Sequence, residues 1–411
     1  MERVVSCCAG LDVHKESVEA CVRRMEPNGQ LHQQTRHWGT MTADLLAMAD
    51  WFAAQGVTHV AMESTGVFWK PIFNILEDRF TVLLVNARHL KQVPGRKSDI
   101  RDCQWIAQLL QYGLLKGSFI PPRPQRELRD LTRYRTRLVE EKTRTINRLH
   151  KVLEDANIKL ASVASDALGV SGRTMIQRLI EGDTDPQKLA DLAVGQLRGK
   201  IPELEKALQG HVTEHHRFLL GLLWKQLAQQ EELIAEVDRQ IQERTRPLAA
   251  EIQRMDAVPG INQQVAEVLL AEVGPDMSPF PSHQQLASWA GMCPGNEESA
   301  GKRRRQRITP GNRWLKATLV QAAWAATHTR NSYLASQYRR LAGRRGKKRA
   351  LVAVGHSLLV IFYHMMSQGA SYADLGGDFF ERLEPDRLKR YYVHRLERLG
   401  YKVALEVPAA A

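Results

Sequence analysis

Three shortages narrow the reading of this chain before any motif is considered. Cysteine is sparse and scattered: Cys7, Cys8, Cys21, Cys103 and Cys293 form no CxxC pair. A zinc knuckle is therefore not expected, and an odd, dispersed set suits a reducing cytoplasm. Long apolar runs are missing too. The N-terminal stretch MERVVSCCAGLDVHK lacks the apolar core and small-residue cleavage site of a secretory signal. The most apolar late run, Leu351 to Met366, is too short for a bilayer and contains His356 and His364, so a buried helix and no membrane partner are expected. Acidic charge is the third shortage. Lys+Arg 58 against Asp+Glu 45 leaves +13, the pI is near 9.6, and Ser299 to Lys348 holds no acid at all. Such an excess favours a polyanionic partner, nucleic acid before membrane, although a solvated basic surface yields the same total.

The remaining composition, 43% hydrophobic and 25% charged over 411 residues, is that of a soluble protein with length for two to four domains. Apolar β-rich runs at Val4–Leu11 and Ser17–Arg24 are followed by a Pro27-Asn28-Gly29 turn and a third candidate strand, Gln30–Trp38. Helical spacing over Thr42–Gln55, a strand at Val57–Met62, a helix at Val67–Leu76, a strand at Phe80–Val85 and a helix at Asp99–Tyr112 complete a β-β-β-α-β-α-β-α order. That order predicts a mixed sheet with helices packed against it.

From Gln125 onward the pattern is helical. Arg126, Arg129, Arg133, Arg137 and Arg144 recur at helical spacings, and Leu220, Leu227, Ile234, Ile241, Leu248 and Met255 fall every seventh residue. The heptad series predicts either a coiled coil or a long helix packed inside its own chain. Pro247 should kink or interrupt it. The whole reads as a multidomain α/β plus α chain: an α/β domain at 1–124, a helical coiled-coil middle at 125–255, a compact helical domain at 256–350 and a helical extension at 351–411.

Asp12 and Glu63 each follow an apolar strand, and Asp99 and Asp102 lie three apart on one helix face. Four converging acids repel unless a cation compensates them, and hard divalent ions take oxygen ligands. Any one of these acids read alone is an ordinary strand-end or N-cap residue. The joint pattern of element order and acids resembles the RNase H/RuvC nuclease fold. The runs GLDVHKES, AMESTGVFWKPI and GRKSDIRDCQWIAQLL resemble more closely the N-terminal domain of the DEDD transposases, bridge-RNA-guided insertion-sequence recombinases related to the Piv/MooV invertases. The resemblance continues through LGVSGRTMIQRLIEG and a C-terminal block to about Met366.

That block, LASWAGMCPGNEESAGKRRRQRITPGNRWLKATLVQAAWA, carries two serines. Ser288 sits among apolar helical residues and is read as packed. Ser299 lies in a Glu-Ser-Ala-Gly turn before Lys302, Arg303, Arg304, Arg305 and Arg307, which can neutralise phosphates, as can Arg313 and Lys316. Alone, such a serine is a turn residue or a phosphate hydrogen-bond donor. The resemblance implies more: a nucleophile that becomes linked to a DNA 5′-phosphate, with Ala300 standing where the pattern would have glycine. Val258-Pro259-Gly260-Ile261 reads either as a phosphate-contacting hairpin or as a plain loop. Trp289, Trp314 and Trp324 read as core, and His14 as a strand-end structural residue.

The resemblance implies a recombinase that cuts and rejoins donor and target duplex DNA. It would use two Mg²⁺ ions held by Asp12, Glu63, Asp99 and Asp102, with Ser299 as nucleophile in cis or in trans. A non-coding bridge RNA, assembly from dimer to tetramer, and a cytoplasmic, nucleoid-associated setting go with it. Two rivals remain at this stage. One is a RuvC-like junction endonuclease using water; the other is a non-catalytic nucleic-acid-binding protein.

Overall fold

In the computed structural model, residues 4–26, 28–64, 66–86, 90, 102–294, 298–299, 302–303, 308, 311–383 and 385–405 are described, residues 298, 299, 302, 303 and 387 by their backbone only. The chain divides into two units, Met1–Pro121 and Pro122–Ala411.

The first unit is a five-stranded mixed sheet. Strands β1 (Cys7–Val13), β2 (Ser17–Met25) and β3 (Leu31–Gly39) form an antiparallel meander, then come α1 (Thr42–Ala54), β4 (His59–Glu63), α2 (Trp69–Leu76), β5 (Thr81–Val85) and α3 (Asp102–Gln111). The spatial order is β3-β2-β1-β4-β5, with β1, β4 and β5 parallel. Both faces of the central strands are covered, so alternate residues serve two different cores. Ala9, Leu11, Val13, Val60 and Met62 pack with Leu45, Met48 and Phe52 of α1. Cys8, Ala61 and Val85 pack with Trp105, Ile106 and Leu109 of α3. The expected element order is thus present. Asp12, expected just after the first strand, lies within β1, because the β1–β2 hairpin extends the ladder to Val13↔Val18.

The second unit is almost wholly helical. Its helices are α4 (Arg123–Asp155), α5 (Leu160–Val163), α6 (Val170–Glu181), α7 (Pro186–Asp191), α8 (Ile201–Leu208), α9 (Glu214–Thr245), α10 (Ala249–Asp256), α11 (Gln263–Glu272), α12 (His283–Ala290), α13 (Arg313–Ala326), α14 (Tyr333–Arg345), α15 (Lys347–Gln368), α16 (Phe379–Leu383) and α17 (Pro385–Arg398). A small hairpin, β6 (Glu298–Ser299) with β7 (Lys302–Arg303), lies between α12 and α13.

The two longest helices, α4 and α9, run antiparallel. Glu127 pairs with Arg244, Arg135 with Asp238 and Lys142 with Glu231, so the numbers fall on one helix as they rise on the other. Between these ion pairs Leu138 meets Val237 and Ile241, and beyond them Leu149 and Leu153 share a core with Leu220 and Leu227. The heptad stripe is therefore spent on a helix of the same chain. A capping box of Thr213 and His216 starts α9. The helix stops at Thr245, followed by a 3-10 turn over Arg246–Leu248, as the missing amide of Pro247 requires.

Helix α15 is 22 residues long and, by length and composition alone, long and apolar enough to cross a membrane. The expectation that this stretch is too short is corrected in length: the helix runs past Leu351 through Ala350 to the basic turn Lys347 to Arg349, and past Met366 to Gln368. Ala350, Val354, Leu358 and Phe362 form a stripe at four-residue intervals that is buried inside the unit.

Candidate functional site

In the first unit the pleat decides which acids meet. Asp12 shares the parity of Cys8, and Glu63 that of Ala61, so both side chains point to the α3 face. The parallel register, Leu11↔Met62, continued by one residue, sets Asp12 and Glu63 side by side on neighbouring strands. Glu19 shares the parity of Cys21, which packs on Cys103 and Ala107, and it stands directly opposite Asp12 across β1–β2. Three carboxylates, Glu19, Asp12 and Glu63, thus form a row over three adjacent strands. Sequence reasoning missed Glu19; the short connection between β1 and β2 was the available signal, because a tight hairpin fixes register.

Helix α3 runs antiparallel to β1 and brings Asp102 to the end of the sheet where this row lies. Its last residue, Gln111, accepts backbone hydrogen bonds from Val4 (3.0 Å) and Val5 (3.3 Å), and the Ala107 carbonyl accepts one from the Cys8 thiol (3.4 Å). The contact is possible only because residue 10 is glycine. A Cβ there would lie 2.3 Å from both the Ala107 nitrogen and the Cys103 oxygen. The field of the row reaches the first turn of α3. Burial pushes the Cys103 thiol up to about 12, and the charges of Cys21, Glu19 and Asp12 push the same way.

Two exposed histidines flank the row: His14 Nε2 lies 3.3 Å from Asp12 Oδ2, and His37 Nδ1 lies 3.7 Å from Glu19 Oε1. His14, read as a strand-end structural residue, follows β1 directly and touches a candidate ligand. Asp99 lies outside the described residues. Among the described residues no group of three or more His, Cys, Asp or Glu is arranged tightly enough to hold a metal ion. The donor chemistry still suits a hard divalent cation, since every side chain in the row offers carboxylate oxygen.

In the second unit Ser299 ends β6 and faces Lys302 across the hairpin, with Glu298 paired to Arg303. Ser299, read from the sequence as part of a Glu-Ser-Ala-Gly turn, is thus the last residue of a strand, and Ala300 and Gly301 lie outside the described residues. Arg304, Arg305 and Arg307 lie outside the described residues. The base of the surrounding loop is closed twice. Pro294 bridges Ile308, and Gly311 (φ +49) approaches Gly291 so closely that a Cβ would sit 2.3 Å from its nitrogen. Asn312 then caps α13 by accepting from the Trp314 and Leu315 amides.

Arg313 is exposed at the start of α13, and Lys316 is half-buried one turn on. Ser288, expected to be packed, is exposed, because Leu286, Ala287 and Ala290 take the inner side of α12. Trp324, expected in the core, is 53% exposed, since its ring lies against His328 at the end of α13. Trp314 is half-buried beside a cavity, and Trp289 is half-buried against Phe280.

Beside this loop a fully buried carboxylate organises three elements. Glu272 accepts from Arg133 at 2.7 and 2.8 Å and from Asn312 Nδ2 at 2.6 Å, with Arg129 Nε 3.2 Å away. Burial draws the Arg129 guanidinium down to about 10 even with Glu272 beside it. The Val258–Ile261 turn is equally constrained: Gly260 (φ +86) leaves room for the Ala322 carbonyl, which a Cβ would meet at 2.2 Å.

Residues 9–158 match the DEDD domain of IS110-type proteins, described as Transposase. Residues 252–339 match a domain described as Transposase IS116/IS110/IS902 family. A probable family 20 transposase of Pseudomonas aeruginosa is 26% identical over 353 residues, covering 84% of this chain and 95% of that protein. A Sinorhizobium fredii protein named as a transposase, y4rJ, is 24% identical over 259 residues, 61% of this chain and 60% of its own. The two domain matches take in more than half of the chain between them: the chain belongs to the IS110 family of DEDD transposases.

Proposed function

We propose that this transposase cuts and rejoins donor and target DNA through a 5′-phosphoserine formed on Ser299, with Asp12, Glu63, Asp99 and Asp102 as the ligands of two Mg²⁺ ions. Membership of the family makes the chain a DNA-recombining enzyme whose DEDD domain implies a divalent cation. The observation that carries the finer reading is the convergence of the β1 and β4 carboxylates with the first turn of α3 at one end of the sheet. When bound, the metal would stabilise charge gathering on the phosphoryl oxygens.

The chemistry balances without an external energy source. Ser299 Oγ loses its proton to a neighbouring base and bonds to phosphorus, while the bond to the 3′-oxygen breaks and that oxygen leaves as a 3′-hydroxyl. The phosphodiester energy is kept in the serine ester. A 3′-hydroxyl of another strand then attacks the same phosphorus, and Ser299 recovers its proton. A non-coding RNA that pairs with both DNAs, assembly from dimer to tetramer and a cytoplasmic location belong to the same proposal. So does the finer division of the second unit into a helical portion (125–255), a serine-bearing portion (256–350) and an extension (351–411).

The test uses the full chain with DNA spanning an element end. Wild type should leave a protein–DNA adduct on denaturing gels, and Ser299→Ala should leave none and cleave nothing. Full-rate cleavage by Ser299→Ala without any adduct would overturn the phosphoserine and favour hydrolysis by water.

A further inference from the structure

A cavity of about 880 Å³ opens in the second unit between α4, α11 and α13. Arg133, Arg137, Glu140 and Arg144 line it from α4, at steps of four, three and four residues, so they share one helix face. Arg313 and Trp314 line it from α13. The arginines are not equivalent. Arg133 is held by the buried Glu272, and Arg137 meets Glu140 on the exposed helix surface at 2.9 Å. Arg144 and Arg313 are exposed, and neither meets a carboxylate within 4.0 Å among the described residues. The lining is therefore net positive and open to solvent.

The indole of Trp314 is the centre of the arrangement. Guanidinium carbons stand over its ring from Arg313 at 4.7 Å, Arg137 at 4.9 Å and Arg133 at 5.8 Å. A ring engaged by three cations is not offered to a nucleobase as a stacking platform. A guanidinium that lies over an aromatic ring keeps its N–H edge available for two-point contact with phosphate. From Arg133 to Arg144 the helix rises about 16 Å, over which one strand of a duplex carries about four to five phosphates.

We infer that this arginine–tryptophan cavity is a cradle for a phosphodiester backbone, with Arg137, Arg144 and Arg313 as its phosphate contacts and with no reading of base sequence. The inference rests on the proposal that the chain acts on nucleic acid, and it adds to that proposal a binding surface on α4. DNA and RNA share the backbone chemistry, so the test carries one arm for each.

Affinity of the full chain for a random-sequence DNA duplex and for a folded random-sequence RNA would be measured across a salt series, for wild type, Arg144→Ala and Arg137→Ala/Arg144→Ala. Circular dichroism and melting would confirm an unchanged fold. On a DNA duplex the slope of log K against log salt should become shallower by about 0.9 for the single variant and about 1.8 for the double. A change confined to DNA assigns the cradle to the substrate; one confined to RNA assigns it to a guide. Arg144 is exposed on a helix surface, so its single variant stays informative if the double one unfolds. If wild type binds and both variants keep its slope on both probes, the inference is wrong while the proposed function stands. If the loss varies with base sequence, the backbone assignment is wrong. If wild type binds neither probe, the proposed function falls and the inference with it.

Discussion

At the scale of single residues, two positions decide the geometry of the candidate sites without taking part in any chemistry. Gly10 lets α3 lie directly on β1. In Gly10→Ala the new methyl would sit 2.3 Å from two backbone atoms of α3, so the helix must shift. A cost of about 1–3 kcal/mol is expected, as for other overpacked interiors. Because α3 carries Asp102, cleavage should fall further than stability does; thermal melts alongside an activity assay separate the two effects. Glu272 is the second position. Its side chain is wholly buried and compensates Arg129 and Arg133. Glu272→Ala would strand a buried guanidinium and should cost about 3–5 kcal/mol in denaturant unfolding. Glu272→Gln keeps the acceptor but not the charge, and should cost less.

At the scale of elements, the α4–α9 pair holds the second unit together through apolar contacts, with ion pairs laid over them. Leu227 is 1% exposed in the core shared with Leu149 and Leu153. Leu227→Ala should therefore cost about 2–5 kcal/mol by chemical denaturation, the range for a truncated buried leucine. Glu231 contributes through charge. Hydrogen bonds from Arg173 draw its carboxyl down from 4.5 to about 2, burial opposes this, and Lys142 assists. A carboxyl depressed in the folded state adds stability above its ordinary value, and that stability is lost as pH falls from about 4.5 to about 2. Glu231→Gln should flatten the acid limb of the stability curve in that window. At a partly exposed pair the effect should not exceed about 1 kcal/mol. An acid limb identical to that of wild type would show that α6 and α9 gain nothing from the pairing.

At the scale of the whole molecule, the net charge of +13 and the carboxylate row make opposite demands. The basic surface holds a polyanion by screening-sensitive attraction, whereas the row repels phosphate until a cation is present. Binding and cleavage should therefore separate on chelation. With EDTA the full chain should still shift DNA on a native gel but should cleave none, and added Mg²⁺ should restore cleavage. Cleavage that persists at full rate through exhaustive chelation would remove the metal from the mechanism. Raised salt should do the reverse, weakening binding at every sequence.

The element order, the acids of β1, β4 and α3, the interruption at Pro247 and the arginine periodicity of α4 were legible in the sequence, because each is written in local spacing. The heptad stripe was legible as a stripe but not in its partner, since the same spacing serves a second chain or a helix of its own. Burial of Trp314 and Trp324 could not be read either, because apolar neighbours along a helix do not say which side faces out. The tertiary structure alone decided which residues meet over long separations. Glu19 faces Asp12 through strand register, Glu272 gathers Arg129, Arg133 and Asn312 through helix packing, and Trp314 receives the arginines of α4. The physical reason is one of range. Propensity and periodicity act over a few residues, whereas pairing of acids with acids or arginines with an indole is fixed by the packing of elements far apart in the chain.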